Sequence, residues 1–324
     1  MCLAIVAGAL ALAAAGCGDD ESPAAKAGAT DTSPATVRSC GSPVTAEDVP
    51  RRVVATAVGL TDTLYALGVG NRLIGVGSTD YATPSPTYAA EFSKVASLGK
   101  TGTGAKELVL SKEPDLVYAE DGAYPFDAKS GRATIAELDA AGAAVYVSAQ
   151  GCDGAQGPLA GVYSDVENLG ALLRVPDRAR ALVAQLRKRV ADAKGLLAGR
   201  RMRVAILGTG EGNTDLYAIG PAYTQGAMLT ELGQVNAFGD LKPNFTKINP
   251  EEVVRRNPEA IFMGSGGSSA TERRNLAYAR EKFKNTTAVR EGRVHLVEDA
   301  GGTPGSVRQV DQVVQMARDL AAAR

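Results

Sequence analysis

One phrase occurs twice in this chain, and its repetition limits the folds that the chain can adopt. Glu107–Val117 and Glu251–Phe262 each begin with a glutamate that stands seven residues before a proline, and each proline opens an apolar run. Proline breaks a helix because it has no amide hydrogen, and the residue before it prefers an extended backbone. Each phrase therefore predicts a short surface helix led by its carboxylate, a break and a buried strand. The two phrases together predict two similar lobes.

The first 16 residues predict a lipoprotein signal peptide. Residues 3–16 consist of Ala, Leu, Ile, Val and Gly, and Cys17 follows directly after small residues. This apolar run is shorter than the roughly 20 residues that a membrane-spanning helix needs. Two features depart from the usual signal, since Ala14 stands three positions before the cysteine and no Lys or Arg precedes the run. The alternative is a buried apolar helix.

The segment after the signal predicts a flexible tether. Residues 17–37 begin with Cys17, which we expect to carry lipid such as palmitate, and continue with a stretch rich in Ala, Asp, Thr, Ser and Pro. Such a composition has too little apolar surface to form a packed core. We therefore expect an extracytoplasmic protein that is anchored to the cell membrane by the lipidated Cys17.

The cysteines predict one disulfide. Cys2 leaves with the signal and Cys17 takes the lipid, so Cys40 and Cys152 remain as an even pair in an oxidising compartment. We expect them to be bonded to each other. The alternative is two unrelated buried thiols. A metal site is disfavoured because the chain has a single histidine.

Charge and composition exclude several classes of partner. The chain has 35 Lys and Arg against 36 Asp and Glu, so its net charge of −1 disfavours a nucleic-acid surface. It has no Trp and only 5% aromatic residues, which weakens the case for a platform that stacks bases. We expect a monomer with no nucleic-acid partner.

The order of predicted elements indicates an α/β protein. Strand, helix and strand alternate from Arg52 to Val147, which is the pattern of a parallel sheet. Ser164–Glu167 matches a capping box, and Pro176 starts a long helix with an apolar stripe that ends before Gly199. We therefore predict an N-terminal α/β lobe over residues 38–163, a bridging helix over 164–199 and a C-terminal α/β lobe over 200–324.

From about residue 38 to its end the chain resembles the class III substrate-binding lipoproteins of ABC importers for ferric siderophores, cobalamin and haem. The order and spacing of several fragments together carry the resemblance. These fragments are Pro50–Val54, Leu64–Val69, Arg72–Val76, Glu107–Val117, Leu138–Gly142, the long helix and Gly226–Gly233. The resemblance implies two α/β lobes joined by one long helix, with a ligand cleft between the lobes.

The resemblance also implies a partner for the two glutamates. In that family a glutamate on each lobe docks onto basic residues of the permease, and the matching positions here are Glu107 and Glu251. Two exposed carboxylates on separate rigid elements can orient the protein on a basic surface. The alternative is that each carboxylate only stabilises the N-terminus of its own helix, where the helix dipole favours negative charge. Glu252 is a neighbour that could replace Glu251.

Polar and aromatic residues at the ends of the predicted strands are the candidate ligand contacts. Ligands of open α/β sheets bind outside the carboxyl ends of the strands. The candidates are Tyr81, Glu120, Asp121, Tyr124, Phe126, Glu211, Asp215, Tyr217 and Arg308. Carboxylates outnumber cations in these loops, which favours a cationic ligand such as a ferric hydroxamate. The alternative is that the carboxylates are solvated and cap turns.

Catalytic motifs are weak in this sequence. Gly208–Gly212 lacks the spacing of a dinucleotide-binding loop, and His295, the only histidine, lies in an apolar strand with no triad around it. We therefore expect a ligand receptor without a cofactor and not an enzyme, with a ferric siderophore as ligand. Cobalamin and then haem are the next ligand candidates. A secreted two-domain enzyme and a lipoprotein without ligand are the other classes.

Overall fold

The computed structural model describes residues 33–80, 82–152, 159–210, 215–243, 245–298 and 300–322. The predicted signal peptide, Cys17 and residues 17–32 of the predicted tether lie outside these ranges. Among the described residues, none of the helices combines the length and the apolar character that crossing a membrane requires.

The described chain begins with a β-hairpin that the sequence did not predict. Strand β1 (Ala35–Ser39) pairs antiparallel with β2 (Ser42–Ala46). The two residues between them, Cys40 and Gly41, have φ of 49° and 79°, as a tight two-residue hairpin turn requires. The predicted tether 17–37 is therefore wrong at its C-terminal end, because residues 35–37 already belong to a paired strand.

A parallel four-stranded sheet forms the centre of the N-terminal lobe. Its strand order is β4-β3-β5-β6, and every pairing is parallel. The strands are β3 (Val53–Ala55), β4 (Leu73–Val76), β5 (Leu116–Ala119) and β6 (Ala144–Val147). The helices of this lobe are α1 (Val58–Ala66), α2 (Ala89–Phe92), α3 (Lys106–Leu110) and α4 (Ile135–Ala140). The strands are almost wholly buried, as expected of a parallel sheet that is covered on both faces.

Two helices occupy the segment that was predicted as the bridge. They are α5 (Ala160–Leu172) and α6 (Pro176–Leu196), and α6 is the long bridging helix. The prediction of a capping box at Ser164 is wrong. Helix α5 already begins at Ala160, and the Ser164 hydroxyl donates to the Ala160 carbonyl one turn earlier. Pro176 opens α6 as predicted, since the first turn of a helix needs no amide donor there.

The C-terminal lobe contains a mixed six-stranded sheet. Its order is β10-β8-β7-β11-β12, with β9 paired to β7. The strands are β7 (Arg203–Thr209), β8 (Leu216–Ile219), β9 (Val235–Asn236), β10 (Phe245–Ile248), β11 (Ala260–Gly264) and β12 (Val294–Val297). The helices are α7 (Thr224–Glu231), α8 (Pro250–Arg256), α9 (Ser269–Lys282), α10 (Thr287–Arg290) and α11 (Arg308–Ala322).

The antiparallel strands of this sheet correct the sequence-based prediction. Leu216 and Tyr217 were predicted to lie in a loop, but they belong to β8, which pairs with β7 on one side and β10 on the other. β8, β9 and β10 were not predicted. Each has only two to four residues, too few to show a strand pattern, and its extended form is stabilised by pairing with another strand.

The repeated phrases occupy equivalent positions in the two lobes. α3 leads into β5, which lies between β3 and β6, and α8 leads into β11, which lies between β7 and β12. Glu113 and Asn257, the residues before the two prolines, have φ of 46° and 43°. Each phrase therefore breaks at a left-handed residue, not at the extended residue that an X-Pro sequence favours. The prediction of two similar α/β lobes joined by a long helix is confirmed.

A continuous apolar core runs beneath both lobes. It includes Leu60 and Tyr118 of the first lobe, Leu186 of the bridging helix, and Phe262 and Met316 of the second lobe. The last helix, α11, packs along α6 and also contacts α1. The closing helix therefore belongs to the junction of the lobes as much as to the C-terminal lobe.

Candidate functional site

The carboxyl ends of the two sheets meet at the segment that follows β12. The backbone carbonyl of Gly305 accepts hydrogen bonds from the Tyr118 hydroxyl at 2.7 Å and from the Thr63 hydroxyl at 3.0 Å, both in the N-terminal lobe. Ser306 donates to the Gly59 carbonyl at 2.6 Å. Gly305 has φ of 79°, and a Cβ atom there would collide with the Tyr118 hydroxyl. This close approach joins the two lobes beside the carboxyl ends of their strands.

Two buried amides strengthen this junction. Gln150, which follows β6, exchanges hydrogen bonds with Gln309 of α11 at 2.6 and 3.0 Å. The Gln150 side-chain oxygen also accepts from the Gly305 amide at 2.9 Å. Gln309 donates in addition to the Thr303 carbonyl. The loops that lead from the strand ends toward the solvent therefore start from a rigid base.

Glu120 is held by a neighbouring hydroxyl at the carboxyl end of β5. The Thr56 hydroxyl donates to the Glu120 carboxylate, while the Glu120 amide donates back to Thr56 Oγ1 at 3.2 Å. Burial raises the pKa of the Glu120 carboxyl, and the Thr56 bond opposes that rise. Glu120 thus lies at the predicted place, but its carboxylate already has a partner in the protein.

Asp121 and Tyr124 have different roles in the loop that follows. Asp121 Oδ1 accepts from the amides of Ala123 and Tyr124 at 2.7 Å each, so it caps the turn. Tyr124 is 46% exposed, and the Arg132 guanidinium lies over its ring at 4.2 Å from the centroid. An aromatic face with a cation beside it is suited to a flat or anionic ligand group.

Phe126 is a correction to the predicted aromatic wall. It is 8% exposed and packs in the core of the N-terminal lobe with residues such as Leu98 and Val117. Its position beneath the loop explains the difference, because the 3-10 turn Tyr124–Phe126 directs one ring outward and the other inward. Phe126 supports the loop and does not offer a contact surface.

The C-terminal lobe has an aromatic group that the sequence identified only in part. Tyr217 stacks on Phe245 with centroids 4.7 Å apart, and Tyr223 lies 5.8 Å from the same ring. Phe245 is 45% exposed. Asp215, next to this group, is ion-paired with Lys247 at 2.6 Å, and that hydrogen bond lowers the pKa of the Asp215 carboxyl. The predicted carboxylate is therefore largely neutralised.

A polar pocket lies beside the carboxyl ends of β7 and β11. Its walls are small or polar, and Arg274 is an exposed cation among them. Asn275 is 2% exposed; it accepts from the Thr209 hydroxyl and donates to the Gly264 carbonyl, so it fixes the pocket wall. The pocket residues are Gly208, Thr209, Gly210, Gly264, Gly266, Thr271, Arg274 and Asn275.

Arg308 serves the lobe junction. Its side chain is 5% exposed and pairs with Asp62 and Glu298, and it donates to the Thr83 carbonyl at 2.6 Å. Tyr81 and Glu211 lie outside the described residues, so their predicted ligand contacts stay predictions. No group of three or more His, Cys, Asp or Glu side chains within the described ranges is arranged to hold a metal ion.

Sequence reasoning missed several residues at this cleft. Tyr223 was predicted to begin a helix, Phe245 lay in no predicted element, and Arg132 and Arg274 are distant in sequence from the strand ends. An exposed phenylalanine between polar neighbours, as at Asn244-Phe245-Thr246, was the available signal for Phe245. The two arginines carried no such signal, because surface arginines are common.

The two predicted docking glutamates are both exposed, and neither takes part in an ion pair within the part of the chain that the structure describes. Glu107 lies in the first turn of α3, and Glu251 lies in the first turn of α8. Glu252 is different, because it pairs with Arg255 at 2.5 Å and with Arg256 at 2.6 Å. These bonds lower the pKa of the Glu252 carboxyl to about 2. Glu251 is therefore the available carboxylate of the pair.

The predicted disulfide is present. Cys40, in the hairpin turn, is bonded to Cys152, which follows β6, and their Cα atoms are 4.9 Å apart. Ser39 beside it bonds both the amide and the carbonyl of Val147 through its hydroxyl. The hairpin is thus attached to the edge strand of the N-terminal sheet by a covalent bond and by a serine bridge.

Comparison with known proteins identifies the family. The model of the family described as periplasmic binding protein matches residues 53–300. An uncharacterized ABC transporter substrate-binding lipoprotein of Bacillus subtilis, YvrC, is 26% identical over 312 residues, covering 94% of this chain and 92% of its own. A cobalamin-binding protein of Halobacterium salinarum is 26% identical over 297 residues, covering 86% and 74%.

A solved structure has the same fold. The structure described as an ABC-type Fe3+-hydroxamate transport system from Saccharomonospora viridis matches with a TM-score of 0.69 and 24% identity, covering 88% of this chain and 98% of that one. The family match spans most of both lobes and the helix between them. On this match, the chain belongs to the periplasmic binding protein family.

Proposed function

We propose that this chain is the extracytoplasmic substrate-binding protein of an ABC importer and that it captures a bulky metal chelate, either a ferric siderophore or a cobalamin. The observation that carries the proposal is that the Gly305 segment brings the strand ends of the two lobes together, so that their loops can enclose a ligand between them. Each lobe contributes an exposed aromatic ring near those ends, Tyr124 on one side and Phe245 on the other. Such a cleft suits a large ligand with apolar faces.

The charges of the candidate site favour a cationic ligand less strongly than the sequence suggested. Asp215 is paired with Lys247, Asp121 caps a turn, and Glu120 is bonded to Thr56. Arg132 and Arg274 add cations at the loops of both lobes. The mixed charge still accepts a ferric hydroxamate, and it accepts neutral or anionic chelates as well. The cobalamin-binding relative supports a corrinoid as the alternative ligand.

The ligand class is tested by calorimetric titration of the purified chain with ferrioxamine, ferrichrome, a ferric catecholate, cyanocobalamin and haemin. We expect submicromolar binding of one class, and ligand recovered unchanged after release. No binding of any of them contradicts the chelate proposal. A chemically altered ligand contradicts the receptor and supports an enzyme in the same cleft.

Two arginine variants locate the site. Arg132 lies over Tyr124, and Arg187 of the bridging helix lies over Tyr163 in a similar pair, 4.9 Å from the ring. We expect Arg132→Ala to weaken binding about tenfold, as the loss of one desolvated cation–π or polar contact does. Arg187→Ala is the matched control and leaves the affinity unchanged. Equal effects of the two variants contradict the assignment of the Tyr124 loop to the ligand.

The remaining parts of the proposal concern attachment and docking. Cys17 carries the lipid anchor, residues 17–34 tether the folded part to the membrane, and the receptor works as a monomer. Glu107 and Glu251 contact basic residues of the permease. Their exposure and their equivalent positions in the two lobes support this role.

A further inference from the structure

A carboxylate is buried where the two lobes join. Asp62 lies in α1 of the N-terminal lobe and is 1% exposed. Its ionic contact is with Arg308, at the start of α11, whose Nε lies 3.3 Å from Asp62 Oδ2. This contact lacks the alignment of a hydrogen bond, and neither carboxylate oxygen has a well-formed hydrogen bond with the described residues. The Arg308 charge and the Ser85 backbone both favour the ionised form, but less than burial disfavours it. The protein therefore offers few hydrogen bonds to the Asp62 carboxylate, and water has little access to it.

The groups around Asp62 come from every element of the junction. A cavity of about 250 Å³ adjoins it, lined by α1, the Ser85–Tyr88 turn, α6 and α11. The charged groups that face this cavity or bond its lining are Arg308 and Asp311 of α11, Arg189 of α6, and Glu298 after β12. Arg189 is paired with Asp311 at 2.6 Å, and Arg308 is shared with Glu298.

Two tyrosines complete the surroundings. Tyr65 and Tyr88 stack with centroids 4.9 Å apart, and burial raises the pKa of both hydroxyls. Both rings therefore stay neutral between pH 5 and 9. The arginines stay charged over the same range because guanidinium loses its proton only in strong base. Asp62 is thus the group of this junction whose charge can change near neutral pH.

The junction favours the neutral form of Asp62. Burial raises the pKa of the Asp62 carboxyl to about 7, and the nearby Arg308 opposes the rise without cancelling it. If the lobes part at this point, water reaches the carboxylate and its pKa returns toward the ordinary value of about 4. Closure and proton uptake are consequently linked.

We propose that the Asp62–Arg308 junction is a proton-dependent clasp between the lobes, which takes up a proton at Asp62 when it closes and releases it when it opens. Below about pH 4 both states hold the proton, and the closed junction is tightest. Between about pH 4 and 7 only the closed junction holds the proton, so opening becomes easier as the pH rises. Above pH 7 the closed junction buries an ionised carboxylate with few hydrogen bonds, and opening no longer depends on pH. The sign follows from a closed-state pKa that lies above the open-state pKa.

The proposal does not depend on the identity of the ligand. It makes retention of the ligand stronger in an acidic medium than in an alkaline one. Arg308 keeps its bonds to Glu298 and to the Thr83 carbonyl in both states of Asp62, so the charge of the arginine remains compensated.

Hydrogen exchange of the full chain, followed by mass spectrometry between pH 5 and 9, tests the clasp. The readout is the protection factor, corrected for the intrinsic rate, of peptides covering 82–90 and 303–312. Because opening releases one proton only between the open-state and closed-state pKa values, we expect protection to fall up to tenfold for each pH unit from 5 to 7 and to level off above pH 7. In Asp62→Asn, which imitates the neutral acid, we expect protection that does not change with pH.

Asp165→Asn is the matched control. Asp165 is also buried, accepts bonds from the Tyr146 hydroxyl and the Ala149 amide, and has a pKa raised by burial to about 6, but it neither pairs with Arg308 nor lines the cavity beside Asp62. This variant should keep the wild-type pH dependence in both peptides. Wild-type protection that does not change between pH 5 and 7 overturns the clasp, even if Asp62→Asn fails to fold. A pH dependence that survives in Asp62→Asn, or one that Asp165→Asn abolishes, overturns it as well.

Discussion

The helices that present Glu107 and Glu251 come from the same sequence phrase, yet they are held with different strength. In the C-terminal lobe, Arg256 is 16% exposed and ties the end of α8 to the loop before it. It donates to Asp240 at 2.9 Å and to the Ala237 carbonyl at 2.7 Å, and its guanidinium lies 4.6 Å above the Phe238 ring.

The N-terminal counterpart has a weaker attachment. Lys106 of α3 pairs with Glu137 at 3.0 Å, and both side chains are about 40% exposed, which leaves the pair open to water and salt. α3 also has five residues against seven in α8. The comparison teaches that a sequence repeat specifies the position of an element more firmly than its rigidity. We infer that Glu251 is presented by a more rigid element than Glu107.

The largest expected effect is on delivery. Glu107→Ala with Glu251→Ala should abolish uptake in a transport assay and leave ligand affinity unchanged, because the cleft is not altered. Of the single variants, Glu251→Ala should lose more uptake, since a preorganised contact loses less entropy on binding. Glu252→Ala is the neighbouring control and should retain uptake. Uptake by the double variant at the wild-type rate contradicts the docking role.

The next prediction tests the disulfide that attaches the hairpin to the N-terminal sheet. The C-terminal lobe contains no cysteine and so has no such bond. Cys40→Ser with Cys152→Ser opens a loop of 112 residues and should lower the free energy of unfolding by about 2 to 5 kcal/mol, as measured in urea. The fold should remain, because Ser39 still bonds Val147. An unchanged unfolding midpoint would show that the hairpin holds without the covalent bond.

The third prediction measures the contrast between the two helices directly. Arg256→Ala removes a mostly buried cation, its hydrogen bonds to Glu252, Asp240 and the Ala237 carbonyl, and the stacking on Phe238, so we expect a loss of about 2 kcal/mol in the free energy of unfolding. Lys106→Ala should give no measurable change, because its ion pair is exposed to solvent. Equal losses in urea denaturation would remove the asymmetry between the helices.

The smallest expected effect is at Glu113 and Asn257, where the helices of the two repeated phrases end. Glu113 and Asn257 both have a left-handed backbone, which asparagine tolerates better than glutamate. Glu113→Asn should therefore raise the free energy of unfolding by about 0.5 to 1 kcal/mol. Asn257→Ala should lower it, in part because the Asn257 side chain also accepts from the Thr287 amide at 2.8 Å. A lower free energy of unfolding in Glu113→Asn would show that the left-handed backbone of Glu113 carries little strain.

Much of the fold was predictable because its determinants are local. The helix Val58–Ala66 ends before Gly68, whose φ is 72°, and the helix Ile135–Ala140 has the Thr134 capping box with Glu137. A cap, a glycine and an apolar run act within a few residues of each other, so the sequence displays them directly. The buried parallel strands were recognisable for the same reason.

The rest depended on partners that are remote in sequence. β1 and β2 were missed because each has only five residues and is held in place by α5 or β6, and β8 and β10 were missed because each is extended mainly by pairing with another strand. The candidate contact residues divided in the same way. Tyr124 and Tyr217 were identified from the strand ends, while Phe126 turned inward and Phe245 came from a strand that only its partner defines.

By itself, the sequence determined the two-lobed α/β design, the long helix between the lobes, the even pair of cysteines and the two matched glutamates. These features depend on the spacing of residues along the chain, which the sequence gives directly. Only the tertiary structure decided which carboxylates are free. It paired Asp215, Glu252 and Glu298 with cations, left Glu107 and Glu251 exposed, and buried Asp62 between the lobes. The physical reason is that the state of a charge depends on the groups within a few ångströms of it, and the folded chain brings those groups from distant positions.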